Sequence, residues 1–157
     1  MTEGHRTAVN DFFVNVFNKI LSYEDQALSR SKYKDLSVRE MHVLEAVGSL
    51  EQEGENNMSR IAASLSISVS SLTTSLNVLV RKGYRYRETG QKDRRVIYVR
   101  LTEKGRGAEA VHRKFHQKMV ESLEDRLSDG EWDTLLRSLD ALGTFFSTAA
   151  KGDDQDN

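Results

Sequence analysis

Residues 68–83 read SVSSLTTSLNVLVRKG, and six of the first ten are Ser or Thr. Hydroxyl residues are mediocre helix formers because their side chains compete for backbone hydrogen bonds. Yet Val69, Leu72, Leu76, Leu79 and Val80 keep a helical spacing through the same stretch, and Lys82–Gly83 is a helix stop. A wheel places Leu72, Leu76, Leu79 and Val80 on one face and Ser70, Ser71, Thr74, Asn77 and Arg81 on the other. The expectation is a helix over 68–82, capped by Ser68, with an apolar back and a hydroxyl-rich front.

The segments around it predict its setting. Upstream, Asn57 caps a short helix carrying Ile61, Ala62 and Leu65. Before that, LSVREM (36–41) carries a complete helix start, with Ser37 as N-cap, Glu40 closing a capping box and Leu36 stapling onto Met41. That helix is expected to end at Gly48, leaving EQEGENN (51–57) as a loop. Downstream the period changes from 3.6 to 2: YRYRET (84–89) and VIYVRLT (96–102) read as two strands around the turn GQKDRR (90–95). In the second strand Ile97, Val99 and Leu101 share one face. Long amphipathic helices flank this centre. Residues 8–29 carry Val9, Phe12, Phe13, Val16, Phe17, Ile20 and Leu21, and Thr102 caps a helix reaching about Leu127. A last helix starts at Ser128–Glu131, with Leu127 stapling onto Trp132, and carries Leu135, Leu136, Leu139, Leu142, Phe145 and Phe146.

Helix, turn, helix and a basic-tipped hairpin make a winged helix-turn-helix. The predicted fold is therefore mainly α with a small β-hairpin wing (α+β), flanked by long helices. The expected divisions are 36–105 for the DNA-binding region, 1–35 and 106–149 for the flanking helical region, and 150–157 as a disordered acidic tail. Charge agrees. Residues 59–106 hold 11 Lys/Arg against 3 Asp/Glu, whereas residues 1–58 hold 6 against 10 and residues 107–157 hold 6 against 11. A basic middle between acidic ends fits a segment that meets a polyanion. Short hydroxyls let a helix backbone approach the major groove and offer contacts to base edges, and an arginine on a narrow loop suits the minor groove. The candidate DNA-binding residues are Ser68, Ser70, Ser71, Thr73, Thr74, Asn77, Arg81, Lys92, Arg94 and Arg95. Asp93 is expected to structure the wing by pairing with one arginine while the other projects.

Cysteine is absent, so no disulfide framework or thiol chemistry is available. No apolar run approaches the roughly 20 residues of a membrane span, and no signal peptide is evident, so a cytoplasmic protein without membrane association is expected. The sequence has no glycine-rich phosphate loop, no nucleophile with a base and no convincing carboxylate pair, which argues against an enzyme.

The stretches LSISVSSLTTSLNVLVRKGY (65–84) and DRRVIYVRLTEKG (93–105) resemble the MarR family of bacterial transcription regulators, and the likeness covers roughly residues 8–148. It implies a homodimer with interlocked first and last helices, which makes 1–35 and 106–149 a helical dimerisation half, and two winged lobes on a pseudo-palindromic double-stranded operator. Asp93 and Arg95 occupy the family's Asp-x-Arg wing positions. REMHVLEAVG (39–48), LTTSLNVLVRKGY (72–84) and HRKFHQKMV (112–120) resemble the fatty-acid-synthesis repressors of Gram-positive bacteria. That branch implies a repressor with long-chain acyl-acyl carrier protein as corepressor. Arg85 departs from the family, which carries an aliphatic residue there. Either the first wing strand flips its register or Arg85 lies outward over Tyr84 or Tyr86.

His112 and His116 are four apart on one helix, with His42 and Glu24 on two others. Two readings stand. Glu24, His42, His112 and His116 line an acyl pocket with Phe13, Phe17, Leu44, Phe115 and Met119, and no cofactor is needed; or the same four form a zinc set in a zinc-responsive repressor of metal-uptake genes. Dock candidates for an acidic carrier are Arg81, Lys82, Arg113, Lys114 and Lys118.

Overall fold

The computed structural model describes residues 2–89 and 96–152, with side chains up to residue 145. Its elements run α1 (Glu3–Ser29), α2 (Val38–Glu53), α3 (Met58–Ser64), α4 (Val69–Arg81), β1 (Arg85–Thr89), β2 (Ile97–Leu101), α5 (Glu103–Glu124) and α6 (Asp129–Gly152). The chain divides into two units, residues 1–113 and 114–157. Among the described residues no single helix is long and apolar enough to cross a membrane.

Local chemistry sets most boundaries. The Ser37–Glu40 capping box forms in full: Ser37 Oγ accepts from Glu40 N at 3.2 Å, and Ser37 N donates to Glu40 Oε2 at 2.8 Å. Asn57, Ser68 and Thr102 accept from Arg60 N, Ser71 N and Gly105 N at 3.1 Å each, starting α3, α4 and α5. Helix α4 stops in a Schellman turn. Gly83 has φ +76°, its N–H bonds to Val80 O at 2.9 Å, and Tyr84 N bonds to Leu79 O at 2.9 Å.

Four helix boundaries differ from expectation, one of them the end of α6, which runs to Gly152 and so into the segment 150–157 expected as a tail. Helix α1 starts at Glu3 because Thr2 caps it, accepting from His5 N. Helix α5 ends at Glu124 rather than near Leu127. Helix α2 passes Gly48 and runs to Glu53, so residues 51–53 are helical instead of loop. Gly48 is there for close approach: a Cβ would meet Glu109 Cγ at 3.2 Å and Leu101 Cδ1 at 3.3 Å. A missing side chain lets β2 and α5 sit against α2 at that point.

The core of the first unit gathers Met41, Leu44 and Val47 of α2, Ile61 of α3, Leu72, Leu76 and Leu79 of α4, and Val99 and Leu101 of β2. Val69 and Val80, expected with the leucines, are exposed. They lie at the margins of the apolar stripe, where the wheel turns away from α2 and α3. The strands pair antiparallel, Arg85 opposite Leu101 and Thr89 opposite Ile97. Buried Asn56 anchors the hairpin to the α2–α3 loop, donating from Nδ2 to Val99 O at 2.7 Å and accepting at its own carbonyl from Val99 N at 2.9 Å.

Candidate nucleic-acid interface

The front of α4 is a hydroxyl surface. Ser68, Ser70, Ser71, Thr74, Asn77 and Arg81 are exposed and Thr73 is half-buried. Ser68 Oγ lies 2.9 Å from both Ser70 Oγ and Ser71 Oγ, gathering three hydroxyls at the helix amino end. Thr73 and Thr74 donate back to the carbonyls of Val69 and Ser70 at 2.8 and 3.2 Å. With their protons turned to the helix, their oxygens face outward as acceptors, suited to the amino groups of cytosine or adenine.

Helix α4 is clamped at the carboxyl end of its inner side. Lys82 donates to both carboxylate oxygens of Glu40, at 2.9 and 2.8 Å, and to Asp35 O at 2.5 Å. The carboxylate that closes the α2 cap thus also holds the end of α4. Burial pushes Glu40 up, but hydrogen bonds from Lys82 and Ser37 outweigh it and leave the carboxyl below its ordinary range. Tyr84 donates to Asp35 Oδ1 at 2.5 Å, and Lys104 Nζ sits 4.0 Å over the Tyr84 ring. Lys82 is thus committed inside the lobe, while the dock candidate Arg81 beside it is exposed.

The hairpin brings two arginines onto α4 that the sequence reading did not assign. Arg87 Nη2 donates to Asn77 Oδ1 at 2.8 Å, which turns the Asn77 amide so that its NH₂ is the group left for a base acceptor. Strand alternation was the available signal, since it puts Arg87 on the same face as Arg85. Arg85 itself follows neither expected arrangement: the register is regular and its side chain points inward, 2% exposed. Near β2, Glu51 accepts from Arg100, Arg106 and Leu101 N, tying wing, α2 and α5 together. Lys92, Asp93, Arg94 and Arg95 lie outside the described residues.

A second constellation lies between α1, α2 and α5. Buried Glu24 reaches His42 Nε2 at 3.5 Å and His112 Nε2 at 3.4 Å, and His112 Nδ1 faces Glu45 at 3.2 Å. Burial pulls the His112 imidazole down, but Glu45 and Glu24 outweigh it, so its pKa is raised. Donor atoms of Glu24, His42 and His112 lie within 4.8 Å of one another. His116 follows one turn later on α5, in the second unit, its ring edge-on to Phe115 at 5.2 Å. Met119 is half-buried in that unit. Of the apolar pocket candidates in the first unit, Leu44 is fully buried in the core, whereas Phe13 and Phe17 are exposed on α1. Arg113 pairs with Glu109 at 2.9 Å, and Lys114 and Lys118 are exposed.

A hydroxyl-faced helix in a helix-turn-helix, backed by a hairpin in a strongly basic segment, defines a winged-helix DNA-binding transcriptional regulator. The sequence pattern of the transcriptional regulator SarA/Rot family matches residues 27–110, and the chain belongs to this family of MarR-like winged-helix proteins. It is similar to Streptococcus pneumoniae FabT, solved in complex with DNA, with 33% identity and a TM-score of 0.82 over 92% of this chain and 99% of that one. Two uncharacterized HTH-type transcriptional regulators of Bacillus subtilis (strain 168) are also similar. YwhA is 31% identical over 85 residues, 54% of this chain and 61% of YwhA; YpoP is 27% identical over 139 residues, 87% of this chain and 89% of YpoP. Family and neighbours are regulators, not enzymes.

Proposed function

We propose that the chain is a cytoplasmic homodimeric repressor of fatty-acid-synthesis genes, responding to a long-chain acyl group on acyl carrier protein. The observation that carries it is the likeness to FabT over nearly the whole chain, joined to the resemblance of residues 39–48, 72–84 and 112–120 to that branch. Dimerisation is supported by the large apolar side chains exposed on α1 and α6, among them Phe12, Phe17, Leu139 and Phe145. In the dimer, 1–35 and 106–149 would join the copies, and 36–105 would read DNA through the α4 face and the wing residues Lys92, Arg94 and Arg95, with Asp93 holding the wing. Phe13, Phe17, Phe115 and Met119 would meet the acyl chain, and Arg113, Lys114 and Lys118 its acidic carrier.

One observation favours a second reading, zinc as the signal. Glu24 Oε1 lies 3.4 Å from His112 Nε2 and Glu24 Oε2 lies 3.5 Å from His42 Nε2, each near the edge of a tetrahedron with bonds of about 2.1 Å, so that a turn of the carboxylate would offer one oxygen to an ion between the two imidazoles. Glu45 at His112 Nδ1 supplies the carboxylate that orients a metal-bound imidazole. The residues therefore fit zinc, with His116 as the candidate fourth ligand.

Selection of bound fragments from sheared genomic DNA tests both. Purified metal-free protein is used, with long-chain acyl-acyl carrier protein or with zinc. A palindrome near fatty-acid-synthesis genes, enriched further by the acyl carrier, supports the first reading. Enrichment near metal-uptake genes only with zinc replaces it with the second. Thr74→Ala and Arg95→Ala should abolish enrichment while the dimer persists in sedimentation.

A further inference from the structure

Arg85 opens β1 directly after the Gly83 turn, and its side chain runs beneath α4. Nε donates to the Leu76 carbonyl at 2.8 Å, an oxygen that helix geometry also engages with the N–H of Val80. Nη1 and Nη2 are enclosed and have no hydrogen-bond partner among the described residues. Burial first, and then the neighbouring Arg87 charge, lower its pKa to about 10. Such a group is a poor source of stability: replacing a buried, incompletely paired charge by an apolar side chain of similar volume is often neutral or stabilising. What it supplies is direction. Apolar packing against α4 leaves rotation and sliding soft, whereas a hydrogen bond to one backbone carbonyl fixes both. Arg87, two residues on and on the same strand face, grips Asn77 Oδ1. Consecutive positions of the recognition helix, 76 and 77, are therefore both held from the first wing strand.

We infer that Arg85 is a positioning residue for sequence reading: it locks the rotation of α4 against the hairpin, so that the hydroxyl and Asn77 face meets base edges in one register. It touches no DNA itself, being enclosed. The inference rests on DNA binding and on neither ligand reading.

The test uses the full chain, the duplex that the wild-type protein enriches from a random-sequence pool, and the same duplex with its bases scrambled. Arg85→Met and Arg85→Leu are expected to unfold at the wild-type midpoint or above it. The affinity ratio between enriched and scrambled duplex should fall by roughly tenfold or more, the scale of one lost base contact. The slope of log affinity against log salt should stay at the wild-type value, because no phosphate contact is lost. Three results would overturn the inference. In one, a folded variant keeps a ratio within about twofold of wild type, the size of an ordinary neutral substitution. In another, the salt slope drops, making Arg85 a phosphate ligand. In the third, both variants fail to fold, leaving it a purely structural residue.

Discussion

In α4, 13 residues long, Leu72, Leu76 and Leu79 are each fully buried; in α1, 27 residues long, Phe12 and Phe17 are 59% and 62% exposed, and only Glu24 and Leu28 are buried. Both helices advertise an apolar stripe at helical spacing. The stripe of α4 is covered by α2, α3 and the hairpin of the same chain. That of α1 is left open at its aromatic end, and where α1 does turn inward it presents a carboxylate to two histidines. Periodicity thus reports that a face prefers to be dry, but not what covers it, and the difference separates a self-sufficient reading head from a helix awaiting a partner.

Truncation is the strongest way to break the comparison. Leu76→Ala should lower unfolding free energy by about 2–5 kcal/mol, since a fully buried leucine leaves a cavity. Phe17→Ala should do little to the isolated chain and instead weaken the dimer, so its loss of stability appears at protein concentrations where the wild type is dimeric and vanishes on dilution. Chemical denaturation at two concentrations separates them. Equal, concentration-independent losses would show that α1 is covered within its own chain.

Next in size is Gly48→Ala. Replacing a mid-helix glycine gains about 1 kcal/mol of helix propensity. The new methyl would crowd Leu101 and Glu109 at 3.2–3.3 Å, and overpacking of a core costs about 1–3 kcal/mol. A net loss is expected by thermal melting; a net gain would mean that Gly48 is a relic of propensity rather than a packing requirement. Smaller again, Ser37→Ala should remove about 1 kcal/mol by deleting the cap of α2, read as a shift in denaturation midpoint with unchanged slope.

What was legible beforehand follows the range of the interactions. The caps at Ser37, Asn57, Ser68 and Thr102, the Gly83 stop and the hairpin depend on residues a few positions apart, and the structure reproduces them. Gly48 misled because glycine signals either a stop or a close approach, and only the distant Leu101 and Glu109 decide which. Arg85 misled more deeply. Its alternatives assumed that a guanidinium avoids the core, whereas the carbonyl of Leu76, nine positions earlier, supplies the partner that draws it in. Arg87 was passed over because its role depends on Asn77 across the same junction. The convergence of Glu24, His42 and His112 was expected from the fold that the family resemblance implies; their partner Glu45 was not, because it appears only once α2 is set against α5.

That convergence gives the smallest effect and the one with the most informative sign. The pKa of His112 is raised over its ordinary 6.5 through Glu45 and Glu24, against the pull of burial. Above that ordinary value the folded chain therefore holds a proton that the unfolded chain releases. Its stabilisation is complete below about pH 6.5, and is lost as pH rises through the higher folded value. Urea titrations of the metal-free protein should lose stability on going from mildly acidic to mildly alkaline buffer, and His112→Gln should flatten the slope. Zinc reverses the sign, because it binds the neutral imidazole and competes with the proton, so its stabilisation grows with pH. A slope that inverts on adding zinc would make the inner contact of α1 a metal latch; one that stays negative would leave it a charge-paired hinge between α1, α2 and α5.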